Sequence, residues 1–119
     1  MTPISSDLMS AIDSPRQAVI KTPAEFEALW RTHAPGRPAP SVDFNKNMVL
    51  AVFLGSRPSG GFAVQITSAE RVGDALVVTW SERRPGPDSM AAQVMTAPAQ
   101  MVAVPRFDGP VRFQKGGGD

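Results

Sequence analysis

At 119 residues, with 42% hydrophobic and 19% charged side chains, the chain is long enough for one hydrophobic core and too apolar to stay disordered. A formal net charge of +1 gives no overall basic footprint for nucleic acid or an acidic membrane surface. The absence of cysteine excludes disulfides, thiol nucleophiles and thiolate metal sites, and the single histidine, His33, excludes every paired-histidine metal motif.

The first residues, MTPISSDLMS, lack the basic start and apolar centre of a signal peptide, which fits either a cytoplasmic chain or one whose export signal has been removed. No stretch reaches the roughly 20 apolar residues that span a bilayer. Residues 1–14 show no sustained period and read as a flexible arm, followed by a single domain over 15–114 and a disordered tail, KGGGD, at 115–119. RQAVIK (16–21) is short and β-branched between Pro15 and Thr22, the pattern of a strand. TPAEFEALWRTHA carries the clearest helix signal. Thr22 suits the N-cap, Pro23 the first helical position and Glu25 the third position of a capping box. Phe26, Leu29, Trp30 and His33 then follow on one helical face, and Gly36 and Pro38 end the helix. PGRPAPSVDFNKN is a proline-rich, semi-rigid connection.

From residue 48 the pattern is β. MVLAVFL (48–54) is continuously apolar, as in a central strand covered on both faces. FAVQITSAERV (62–72) and ALVVTWSER (75–83) alternate around a Gly73-Asp74 turn. RPGPDS (84–89) is loop because of its prolines. AAQVMTA (91–97) and QMVAV (100–104) read as two strands separated by Pro98, and VRFQ (111–114) as the last. One helix and six to seven mostly consecutive strands predict an α+β domain, with the helix packed on a mainly antiparallel β-meander or a partly closed sandwich.

In an up-and-down meander the connections alternate between ends, so the loops at 55–62, 83–90 and 105–110 are expected to share one rim. RPSGGF (57–62) holds more glycine and proline than a turn requires, and Arg57 adds a charge that folding does not demand. Loops on a rigid sheet are the usual place for recognition, proline limits the entropy lost on docking, and Gly60 and Gly61 permit positive φ and close approach. The candidate partner-binding residues are Arg57, Pro58, Ser59, Gly60, Gly61 and Phe62 of the first loop. The second contributes Arg83, Arg84, Pro85, Gly86, Pro87 and Asp88, and the third Arg106.

Catalysis is not expected. His33 ends a helix on its apolar side, as a buried structural histidine does, and Glu25, Glu27 and Asp108 read as helix-end and turn charges. GSRPSGG lacks the Lys-Ser/Thr of a phosphate loop and precedes a strand, so no cofactor or metal is expected. Trp30 and Trp80 read as core anchors and Met48, Met95 and Met101 as core fillers, with Met90 falling in the rim.

VDFNKNMVLAVFLGSRPSGGFAVQI, LVVTWSERRPGPDSM and TAPAQMVAVPR together resemble the PrcB-type C-terminal domain family over about residues 42–106. The matching positions are Gly55, Arg57 to Phe62, Pro85, Gly86, Pro87, Pro98, Val104 and Pro105. Members often carry a cysteine after the P-G-P segment, where this chain has Asp88 and Ser89. The resemblance implies a non-catalytic accessory or stabilising role, with a protease or envelope protein as partner and an extracytoplasmic location if the chain is exported. RPSGGF also resembles the first loop of chagasin-like cysteine-protease inhibitors, implying as an alternative a proteinase inhibitor that inserts this loop into an active-site cleft. Arg57 replaces the asparagine of that motif, the second loop lacks its tryptophan, and the helix is foreign to that fold. A third reading is an enzyme or small-ligand binder using His33 and a cleft under the helix. None of these fixes the oligomeric state.

Overall fold

The computed structural model describes residues 1–86 and 93–116. It contains β1 (Thr2–Asp7), β2 (Arg16–Ile20), α1 (Pro23–His33), β3 (Asn47–Phe53), β4 (Ala63–Val72), β5 (Ala75–Arg83), β6 (Ala99–Pro105) and β7 (Val111–Lys115). Four strands form an antiparallel sheet in the order β1-β6-β3-β2, and the other three a mixed sheet in the order β4-β5-β7, with β7 parallel to β5. The fold is α+β, with one helix and two sheets in layers.

β3 explains the layering. Every residue from Met48 to Phe53 is at most 2% exposed, because alternate side chains enter different cores. Val49, Ala51 and Phe53 join Phe26, Leu29 and Trp30 under the helix, while Met48, Leu50 and Val52 meet Val64, Ile66 and Val78 of the second sheet. The helix starts where its residues predict. Thr22 Oγ1 accepts from the Glu25 amide at 3.2 Å, and Glu25 Oε1 accepts from the Thr22 hydroxyl at 3.0 Å. Phe26, Leu29, Trp30 and His33 are its buried face.

Three expectations are corrected. The N-terminal segment is not a loose arm throughout, since Thr2–Asp7 forms an edge strand on β6, bulged between Pro3 and Ser5. Its sequence hid this because an edge strand with one partner needs no regular apolar face. The strand expected at 91–97 is not formed over 93–97. There Thr96 and Ala97 make only isolated bridges, to Arg57 and Met9, and residues 91 and 92 lie outside those described.

The missing strand shifts the parity of every later loop. Between β3 and the loop after β6 the described chain has one strand fewer than expected, so the loop at 105–110 lies at the opposite end. The Arg106 amide donates to Lys46 C=O at the start of β3, and a Cβ on Gly109 would sit 2.7 Å from Asp74 C=O in the β4–β5 turn. The loops after β3 and β5 do share the other end, called here the upper end.

Candidate functional site

At the upper end β3 passes into Leu54–Phe62 and β5 into Arg84–Gly86. Arg57 fastens these loops together. Its amide donates to Thr96 C=O at 2.7 Å, its carbonyl accepts from the Thr96 amide at 2.9 Å, and Thr96 Oγ1 donates to Ser59 C=O at 2.9 Å. Its guanidinium turns inward: Nε and Nη2 donate to the Glu82 carboxylate at 2.8 and 3.3 Å, while Nη1 donates to Leu54 and Ser56 C=O at 3.1 and 3.0 Å. The same guanidinium lies 6.0 Å from the Phe62 ring centroid.

Glu82 is the residue that reading the loops missed. It is 4% exposed, accepts a further bond from Lys115 Nζ at 3.1 Å, and has Arg84 Nε at 3.9 Å. The hydrogen bond from Arg57, helped by Lys115, outweighs burial and holds the Glu82 carboxyl below the usual carboxylate range. A signal for it was present. Leu76, Val78, Trp80 and Glu82 share one parity along β5, so the inward row ends in a carboxylate that requires a cationic partner. Arg57 is therefore the cationic partner of a buried carboxylate, contrary to the expectation that its charge was surplus.

Two glycines shape the same end. Gly61 has φ +90, and a Cβ there would lie 2.8 Å from Pro85 Cβ, so the two loops close on each other only through glycine. Gly55, at φ +82, does the same against Pro15. Gly60, expected to share this freedom, has no positive φ. With the Arg57 guanidinium turned inward, the exposed residues of these loops are Ser56, Pro58, Gly61, Arg83, Arg84 and Gly86, with Ser59 and Gly60 half-buried. Pro87 and Asp88 lie outside the described residues, as does Met90.

This pinned loop, running from a buried strand into a second sheet, is where the chain can be compared with known proteins. Residues 48–105 match the family model described as PrcB C-terminal. The resemblance read from the sequence is borne out over that span, which runs from β3 through β6. No curated protein and no solved structure matches the chain. Arg57, Gly61, Glu82 and Thr96 all fall inside the PrcB C-terminal match, whereas α1, β1, β2 and Lys115 fall outside it.

Arg106 does not join the site. Its Nη1 donates to Lys21 and Phe44 C=O at 3.2 and 2.8 Å, tying down the lower end beneath the helix. The three-loop rim expected from the meander is therefore not assembled, since of the three loops those after β3 and β5 share an end and that at 105–110 does not.

Outside the PrcB C-terminal span, His33 meets both a serine and an aspartate. Ser10 Oγ is 2.7 Å from His33 Nδ1, and Asp7 Oδ2 is 3.0 Å from Nε2, with Arg37 on the other Asp7 oxygen at 3.2 Å. Burial pushes the Asp7 carboxyl up, but the bonds from Arg37 and His33 prevail and hold it below its usual range. The composition matches a hydrolase triad, yet the geometry suits a clasp. Ser10 and His33 are 8% and 1% exposed, and Ser10 Oγ already accepts the Ile12 amide at 3.0 Å. His33 packs edge-on against Trp30 and Phe53, and its carbonyl accepts the Ala11 amide, so the cluster fastens residues 7–12 to the end of α1. Among the described residues no helix is long and apolar enough to cross a membrane.

Proposed function

We propose that the chain is a non-catalytic protein-binding module, an accessory or stabilising part of a protease or cell-envelope assembly, which docks by its upper end. The observation that carries this reading is the Arg57–Glu82 pair with the Arg57–Thr96 bridge, which fixes Pro58–Gly60 beside Arg83–Gly86 before any partner arrives. Pre-ordered loops lose less entropy on association, and a rigid two-sheet scaffold bearing them is the arrangement of a recognition surface. The PrcB C-terminal match supports a protease-related setting. The burial of Ser10 and His33 supports a role without catalysis.

The test is affinity purification from the native host with the wild-type chain and a Pro58→Arg/Arg83→Glu variant. Both sites are exposed, so the fold is retained, which melting by circular dichroism checks. The expected result is one protease or envelope protein captured by the wild type and lost from the variant. Equal capture by both would refute docking at the upper end.

A further inference from the structure

Six large hydrophobic side chains are exposed among the described residues, and four of them, Leu8, Met9, Val94 and Met95, lie at the upper end, 53, 65, 47 and 60% exposed. They come from segments far apart in sequence. The Ala97 amide donates to Leu8 C=O at 2.8 Å and the Ser10 amide to Ala97 C=O at 2.9 Å, holding the two side by side. Met95, expected in the core, is thus on the surface. Such a grouping marks an interaction surface more often than isolated exposed residues do, and the two methionines give it side chains that adapt to a partner.

The charges around it select that partner. Thr96, next to Met95, is bridged to Arg57, whose guanidinium leads to Glu82 and so to Arg84. Arg83 has no ion pair among the described residues, and Arg84, its side chain 66% exposed, has only the 3.9 Å approach to a carboxylate already held by Arg57 and Lys115. Among the described residues the exposed acid nearby is Asp13, whose carbonyl accepts the Ser56 amide. We infer that Leu8, Met9, Val94 and Met95 seat an apolar protein segment whose flanking carboxylates meet Arg83 and Arg84. This rests on the reading of the upper end as a protein-docking surface and names the chemistry of what docks.

The probe is a displayed library of random linear peptides selected against the full chain. The expected winners combine leucine, phenylalanine or methionine with aspartate or glutamate. Their affinity falls by about tenfold or more with Met9→Ser/Met95→Ser, which removes two exposed apolar contacts without touching the core. With Arg83→Gln/Arg84→Gln the acidic bias disappears, and in the wild type binding weakens as salt rises. Failure to select any peptide overturns the inference, as do winners without acidic residues. Winners indifferent to Met9→Ser/Met95→Ser but lost with Pro58→Arg/Arg83→Glu overturn it while leaving upper-end docking intact. Winners indifferent to both variants overturn both. Self-association in sedimentation velocity that vanishes with Met9→Ser/Met95→Ser makes a second copy the occupant and also overturns it.

Discussion

Replacing Arg57 by alanine leaves the Glu82 carboxylate buried with Lys115, 45% exposed, at 3.1 Å and Arg84 at 3.9 Å as its remaining cations. Breaking a buried ion pair from one side typically costs about 3–5 kcal/mol, and retention of Lys115 lowers the expectation here to about 2–4 kcal/mol. With an unfolding entropy of about 2.1 cal/mol/K per residue, a domain of this length loses about 4 °C per kcal/mol, so the melting temperature should fall by about 8–16 °C. The sign with pH follows from Glu82. Its folded pKa lies below the reference value of 4.5, so its contribution is fully present above that value and is lost as pH falls through the folded pKa. The gap between wild type and Arg57→Ala should therefore be widest near neutrality and narrow in acid. Thermal melts by circular dichroism from neutral to acid pH measure it, and the Arg57→Ala/Glu82→Gln double variant should recover part of the loss because no charge remains stranded. An Arg57→Ala chain melting within about 2 °C of wild type at neutral pH, half a kcal/mol by the same conversion, would show that the pair does not hold the upper loops.

Two other substitutions probe the same framework. Gly61→Val should destabilise by about 1–3 kcal/mol, since it combines a disfavoured φ with a clash against Pro85. Urea unfolding checks it, and a neutral result would mean that the two loops do not close on each other. His33→Ala should lower stability by about 2–4 kcal/mol by emptying a buried site and unpairing Ser10, and amide exchange should show residues 7–12 released from α1. Esterase activity in the wild type that disappears in His33→Ala would overturn the clasp reading.

What the sequence disclosed follows a physical divide. β3 and α1 were legible because burial on two faces, or a capped apolar stripe, imposes a pattern on the residues themselves. β1 was not, because Thr2–Asp7 is held by backbone bonds to β6 and carries no apolar row. The run at 91–97 misled in the opposite direction, since its apolar residues include two that face solvent, and counting it as a strand moved Arg106 to the wrong end. Within the candidate site, the composition of RPSGGF singled out a loop that the structure pins to its neighbours, but did not disclose that the Arg57 guanidinium pairs with Glu82. The composition of a loop cannot say which of its charges turn inward. The parity of Glu82 in β5 can, once the strand's inward row is followed to its last member.

The most direct test of docking at the upper end is hydrogen–deuterium exchange on the chain alone and in complex with the partner it captures. Protection is expected at residues 57–61, 83–86 and 93–97, with the loop at 105–110 unchanged. Protection confined to Arg106–Gly109 or to the exposed face of α1 would contradict it.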